Sequence, residues 1–378
     1  MQLTRTVFRD DHEMFRASAR RFFERECLPR QAAWDEAGQV DCETWLKAGR
    51  EGLLGITIPS EYGGGGGDFG HCAVFNEEFA RAGVSGAYFG MHSDVIAPYI
   101  LRCGSEEQKR KWLPGACSGE IILAIAMTEP GTGSDLKAVR TTAVRDGDEY
   151  VINGSKTFIS NGLISDLVIV VCKTDPAAGA RGISLIAVEA GRAGFRRGRK
   201  LQKVGQPAAD TAELFFDNVR VPVANRLGEE GQGFAYLMGE LPQERFSIAV
   251  SAAARLERLL EQTIEYVKQR QAFNQTVWDF QNTKFKLADI KAQAIAVRTL
   301  IDHYLSEHMR RLTLEEAAIA KLYATEALGK STDDMLQLHG GYGYMLEYPI
   351  ARAFVDMRVN RIYGGTSEVM RELIARKL

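Results

Sequence analysis

No two of the six cysteines, Cys27, Cys42, Cys72, Cys103, Cys117 and Cys172, form a CxxC pair. Their scatter suggests neither a zinc site nor a disulfide framework and fits a reducing compartment. No uninterrupted apolar run approaches the roughly 18 residues of a membrane span. The opening stretch MQLTRTVFRDDHEMFRASARRFFERE lacks the apolar core of a signal peptide and carries too many acids for a transit peptide, so a cytoplasmic location is expected. Net charge is almost absent: 47 Lys and Arg against 49 Asp and Glu leave -2, which gives no global basic field for nucleic acid. A Walker A loop and a GxSxG elbow are missing. His303 and His308 are five apart without an HExxH pattern, so no metal site is expected. Neither a repeat period nor a low-complexity tail is present.

What the chain does have is a change of texture along its length. At 378 residues, 45% hydrophobic and 25% charged, it is long enough for two or three packed units around a substantial core. From about 8 to 120, VFRDDHEMFRASARRFF and CAVFNEEFARAG repeat apolar residues at three and four. The run EYGGGGGDFG holds Gly63 to Gly67 without the Lys-Ser or Lys-Thr of a phosphate loop and reads as a flexible or closely packed loop. Between about 122 and 232, IILAIAMT, TTAVRDGDEYVING, TFIS, DLVIVVCKT, GISLIAVEA and AELFFDNVRVP alternate apolar and polar residues. Turns are expected there at Asp146-Gly147 and Asn153-Gly154. From 233 onward four long helical segments are expected, broken near Asn274, Arg311 and Gly340. The expected fold is multidomain α+β: an N-terminal helical domain at 1–121, a middle β barrel or sandwich at 122–232 and a C-terminal four-helix bundle at 233–378.

Chemistry is carried by short stretches that are each weak alone. In AMTEPGTGSD, residues 126–135, Thr128, Gly133 and Ser134 offer hydroxyls and close amides to a polar ring or a phosphate, or simply form a tight turn at Pro130. In NGSKTFISNG, residues 153–162, a hairpin turn leads into a strand with Phe158 and Ser160 on one face. That pair is a ring cover with an edge hydroxyl, or a core Phe beside a surface Ser. GELPQERF, residues 239–246, sets Glu240 and Glu244 four apart with Arg245 alongside, an acid and base pair or a solvated face. Pro242 between them is a feature that surface helices seldom carry. KQRQAFNQ and QLHGGYGYMLEYP add Arg270, Gln337 and Gly341 as anion or amide contacts. Finally, IYGGTSEVMRELIAR sets Gly364 and Gly365 before Thr366: a turn with exposed amides that attracts electron-rich oxygen, or a plain helix cap.

In this order and spacing, AMTEPGTGSD, NGSKTFISNG, KQRQAFNQ, QLHGGYGYM and IYGGTSEVMRELIAR resemble the acyl-CoA dehydrogenase family, from FRASARRFF to the final helix. The resemblance implies FAD wedged between the β domain and the bundle, in a homotetramer built as a dimer of dimers whose neighbouring subunit completes each flavin site. It assigns Met127, Thr128, Gly133 and Ser134 to the flavin lining, Ser134 and Arg245 to the substrate, Phe158 to the flank of the ring and Ser160 to its reactive edge. Arg270, Phe273, Gln281, Gln337 and Gly341 would reach the FAD of another copy, and Thr366 and Glu368 its adenosine side.

One departure from the family pattern is informative. Most members read Tyr-Glu-Gly-Thr, with that glutamate removing the α-proton, whereas this chain has Gly364. The long-chain and isovaleryl-CoA subgroups carry the base on the first bundle helix, directly before an arginine, and QERF supplies that pattern at Glu244 and Arg245. The resemblance thus implies Glu244 as base. Gly364 keeps its backbone amide for the thioester carbonyl, beside a flavin ribityl hydroxyl, and hydride passes from Cβ to flavin N5 to give a trans-2-enoyl-CoA. FGMHSDVIAPYI, GSEEQ, ELPQER and IYGGTSE resemble the long-chain subgroup. A long or branched acyl-CoA is therefore the expected substrate and electron-transfer flavoprotein the expected acceptor. The alternatives are a short-chain or natural-product acyl-CoA, an acyl-CoA oxidase, or a catalytically silent flavin-binding homologue.

Overall fold

The computed structural model describes residues 5–307 and 312–378; His308 and the break expected near Arg311 lie outside them. Six α-helices precede the first strand among the described residues: α1 (Asp10–Phe22), α2 (Gln31–Ala37), α3 (Cys42–Arg50), α4 (Phe69–Ala82), α5 (Ala97–Cys103) and α6 (Glu106–Ser118). Their ends are fixed locally. Asp68 accepts the His71 N–H at the start of α4, Gly83 at φ +82° closes it, and Ser105 and Gln108 form a capping box on α6. A π-helical stretch, Met91–Ile96, leads into α5. The Gly63 to Gly67 run is a closely packed loop, because a Cβ at Gly64 would lie 2.2 Å from the Ile58 carbonyl oxygen.

An eight-stranded sheet follows: β1 (Leu123–Ala126), β2 (Thr142–Asp146), β3 (Glu149–Ile159), β4 (Leu167–Lys173), β5 (Ile183–Glu189), β6 (Phe195–Lys200), β7 (Ala212–Pro222) and β8 (Arg226–Leu227). The order is β6-β7-β3-β2-β4-β5-β8, with β1 parallel to β4. Strand β4 is buried on both faces. Leu167, Ile169 and Val171 join the helical core at Tyr99, Leu113 and Leu237, while Val168, Val170 and Cys172 join Ile152 of β3 and Leu214 of β7. A strand covered on both sides needs an unbroken apolar run, and LVIVVC is one.

Asp146-Gly147 does join β2 to β3, but Asn153-Gly154 is not a turn. Strand β3 runs straight through it. The register against β7 shifts between Ile152 and Gly154, and Gly154 sits at φ +153° where a Cβ would meet Thr141 Oγ1 at 2.4 Å. The backbone freedom that lets Asn-Gly close a hairpin here makes a bulge inside a strand.

Among the described residues the C-terminal domain holds three long helices and two short ones, against the four long segments expected: α7 (Gly233–Gln269), α8 (Gln281–Glu307), α9 (Leu314–His339), α10 (Pro349–Met357) and α11 (Ser367–Ala375). Helix α7 runs through Pro242 without ending. The break at Asn274 is a small hairpin pairing Gln271–Ala272 with Gln275–Thr276. Ala249, Ala252 and Ala253 of α7 share a core with Ala317, Ala320 and Ala324 of α9, small residues that let the two backbones approach.

A buried charge network ties α1 and α4 to the bundle. Glu77 of α4 takes Arg298 of α8 at 2.6 Å, Arg5 at 2.8 Å and Arg16 at 2.9 Å. Burial alone would raise the Glu77 carboxyl, yet Arg298 and Arg5 outweigh it and hold the group down to about 2. All six cysteines are free thiols. Among the described residues no helix is long and apolar enough to cross a membrane.

Candidate active site

Thr366 Oγ1 accepts the Val369 N–H at 3.3 Å, so the glycine turn does cap α11. Its glycines have a further use. Gly364 adopts φ +63° and Gly365 φ +98°, a backbone that side chains rarely tolerate. Two buried cations hold the turn by consecutive carbonyls: Arg245 Nε donates to Gly364 O at 3.0 Å, and Lys321 Nζ donates to Gly365 O. Neither glycine N–H makes a backbone hydrogen bond among the described residues. A Cβ at Gly364 would stand 2.8 Å from Ile248 Cδ1, 3.4 Å from Glu244 Oε1 and 3.6 Å from Lys321 Cε.

Glu244 and Tyr88 are half-buried and Tyr363 is 37% exposed, so the three border accessible space rather than lie in a closed core. Burial pushes the Glu244 carboxyl up, while Arg245 and Lys321 pull it back. Lys321, 1% exposed, is pushed down to about 8 by burial and by the neighbouring Arg245. The Nη1 of Arg245, itself 4% exposed, finds no partner. An unsatisfied guanidinium nitrogen beside unbonded amides makes a ready cradle for an oxygen that gains negative charge. The Tyr99 hydroxyl is also buried without a partner, within the field of Glu244. Glu240 differs from Glu244: Arg102 of α5 pairs with it. Gln243 Nε2 donates to Asp94 O at 2.9 Å, so this face of α7 is pinned to the π-helical stretch.

The β domain contributes the loop 127–135, which carries the Met127, Thr128, Gly133 and Ser134 of the sequence reading. Open space faces it, since a Cβ at Gly131 or Gly133 would meet nothing within 4 Å. Beneath the loop lies Lys156, fully buried, whose Nζ bonds Met127 O at 3.0 Å, Val171 O at 2.6 Å and Glu129 Oε1 at 2.9 Å. Glu129 in turn accepts the Arg140 and Thr141 N–H groups. Thr157 N–H completes the floor on Thr128 O at 2.9 Å. Phe158 follows at φ +59° and 67% exposed, outside the strand alternation that would have put it on a face with Ser160. A second register shift, between Lys156 and Ile159, is the reason. Ser160 is half-buried and meets the Tyr88 hydroxyl.

Arg270, Phe273, Gln281, Gln337 and Gly341 stand away from the glycine turn. Arg270 caps the far end of α7, 26 residues beyond Glu244 and so about 39 Å along the helix. Arg270, Gln337 and Gly341 line a separate cleft of about 380 Å³ with Tyr342 and Met345. Phe273, 90% exposed at φ +51°, and Gln281, the first residue of α8, follow Arg270 closely in the chain. Thr366 sits at the cap of α11, and Glu368 is exposed, with Arg371, Arg358 and the Thr366 hydroxyl near it.

Lys321, Lys156, Glu129, Tyr88 and Tyr99 were not foreseen. Lys321 left a trace: it falls on the apolar stripe of α9 with Ala317, Ala324 and Leu328, where a lysine is out of place. Lys156 left none, because the bulges around it hide the period that marks an inward strand position.

Models of the acyl-CoA dehydrogenase N-terminal, middle and C-terminal domains match residues 9–120, 124–219 and 231–378. The long-chain specific acyl-CoA dehydrogenase, mitochondrial, of Sus scrofa is 51% identical over 99% of this chain and 88% of its own length. An acyl-CoA dehydrogenase of known structure from Geobacillus kaustophilus is 47% identical, with a TM-score of 0.96 over 99% of both chains. A chain in the solved structure of the electron transferring flavoprotein of Acidaminococcus fermentans is 35% identical, with a TM-score of 0.92 over 100% of this chain and 99% of that one. With three domain models in order and half of all positions shared with one relative, this chain belongs to the acyl-CoA dehydrogenase family.

Proposed function

We propose that, in the FAD-dependent α,β-dehydrogenation of acyl-CoA that this family carries out, Glu244 is the base, Gly364 the amide donor to the thioester oxygen, and a long-chain acyl group the preferred substrate. One observation carries the reading. A Cβ at Gly364 would lie 3.4 Å from Glu244 Oε1, so the Glu244 carboxylate stands beside the turn position where most of the family carries its acid. An acid rooted on α7 thereby replaces one rooted in the turn, and the turn is free to be glycine. The likeness to the long-chain enzyme of Sus scrofa supports the substrate class.

The residues fit the cofactor. The loop 127–135 is open where its glycines approach a ligand, Phe158 stands exposed beside it, and the Arg245 Nη1 and the turn amides await an acceptor. FAD, when bound, supplies the oxidising ring that receives the β-hydrogen as hydride. The chain's own part is alignment and proton transfer. Arg245 and Lys321 fix the turn so that the Gly364 N–H can donate to the thioester oxygen, and that bond strengthens as the oxygen gains charge. The α-proton goes to Glu244, whose burial raises its affinity for it.

A first test uses anaerobic mixing with palmitoyl-CoA, butyryl-CoA and a branched acyl-CoA, following loss of flavin absorbance. Palmitoyl-CoA is expected to bleach fastest. Faster bleaching by butyryl-CoA would move the assignment to a short-chain enzyme, and rapid re-oxidation by air to an oxidase. Electrons are expected to pass to electron-transfer flavoprotein, a reading supported by the likeness to the Acidaminococcus chain. A reducing compartment such as the cytoplasm suits the six free thiols.

We further propose that the division into 1–121, 122–232 and 233–378 stands, and that the chain works as a homotetramer in which Arg270, Phe273, Gln281, Gln337 and Gly341 serve another copy's flavin. Their distance from Glu244 along α7 supports this. Mixing two inactive variants, Glu244→Gln and Arg270→Glu, after dissociation and reassembly should restore activity, because some sites then take both good residues. If the mixture stays as inactive as its parents, each site is made by one chain.

A further inference from the structure

The base assignment leaves a buried lysine unexplained. Lys321 stands on the apolar side of α9 and reaches the glycine turn, and its stem lies 3.6 Å from the point where a Gly364 Cβ would be, a point 3.4 Å from Glu244 Oε1. Resting on the reading of Glu244 as base, we propose that Lys321 is a positioning residue of the reaction: it anchors the Gly364 and Gly365 turn through the Gly365 carbonyl, and its charge keeps the Glu244 carboxylate ionised and ready to accept the proton. A hydrogen bond to one carbonyl does not require a lysine, nor does it justify burying an ammonium that could reach solvent elsewhere. A carboxylate facing it across a glycine does.

The groups around Glu244 show why one cation is not enough. Arg245 follows it on α7, but its Nε is committed to Gly364 O. Glu240 of the same helix is paired with Arg102 of α5, Tyr99 of α5 presents an uncharged phenol, and Tyr363 of the turn another. From α9, Lys321 is the cation, with Glu326 further along the helix as its second acidic neighbour. Enclosure drives Glu244 toward its neutral form, in which it can accept nothing, and Arg245 and Lys321 oppose that drive. The two cations also repel each other, an effect that the charge of Glu244 partly offsets.

The test titrates Glu244 in the FAD-loaded protein by its infrared carboxyl band, with Glu244→Gln as the blank, in wild type and in Lys321→Met, Lys321→Gln and Lys321→Arg. Loss of the charge should move the titration upward by about one pH unit in the Met and Gln variants. Arg should titrate as wild type does. The acid limb of flavin reduction should shift by the same amount while FAD content is unchanged. Gln retains a donor for Gly365 O, so it separates the charge from the anchor and stands in if Met does not fold. Gln and Met titrating where wild type does would overturn the proposal. Failure of the base assignment looks different: Glu244→Gln would then still bleach with substrate, whatever Lys321 does to the band.

Discussion

Glu244→Gln bleaches with palmitoyl-CoA about 10²- to 10⁴-fold more slowly than wild type, the range a positioned base contributes, while still holding FAD and ligand. Glutamine keeps the size and one acceptor oxygen of the side chain but cannot take the proton. The same variant melts higher than wild type at neutral pH. Burial raises the folded-state proton affinity of Glu244 above its unfolded value near 4.5, so folding an ionised Glu244 carries a cost. That cost is absent at pH below the unfolded value, grows as pH rises toward the folded one and is complete above it. The two melting curves should therefore coincide near pH 4 and separate toward pH 8. A variant that bleaches like wild type sinks the base assignment, and melting temperatures that coincide at pH 8 sink the account of its environment.

Lys156→Met strips the floor from the loop 127–135. Its Nζ satisfies two carbonyls and one oxygen of Glu129, and methionine fills the volume without any of those bonds. Removing one partner of a buried ion pair costs about 3–5 kcal/mol, most of it from the charge left behind. We expect a lower urea midpoint and purification largely without flavin, since Met127 and Thr128 lose their support. Adding Glu129→Gln removes the stranded charge and should recover part of the stability but not the flavin. A single variant with unchanged flavin content and midpoint would show that the pair neither supports the loop nor stabilises the domain.

Much of this was legible in the sequence where one physical rule acts alone. The long helices follow from apolar residues at three and four, and β4 from its unbroken LVIVVC. Edge strand β6 escaped because Arg196, Arg197, Arg199 and Lys200 hide its alternation, which is also how an edge strand is protected from pairing with another chain. Asn153-Gly154 was misread because a turn and a bulge ask the same backbone freedom of the same residues. Gly364 and Glu244 could be linked only through the family's motifs. No local pattern says that residues 120 apart in sequence meet, or that Arg270 stands a helix length away from the site it resembles in sequence.

Ile248 gives the glycine turn a last meaning. Its Cδ1 occupies the volume that a side chain at Gly364 would enter, beside a backbone already bent to positive φ. A lone Gly364→Glu change would meet a strained backbone, a filled space and a like charge at once. Placing an acid on the turn therefore needs coordinated changes at 364, 248 and 244. Under the proposed assignment, a base rooted at Glu244 is easier to tune in place than to exchange for one rooted in the turn.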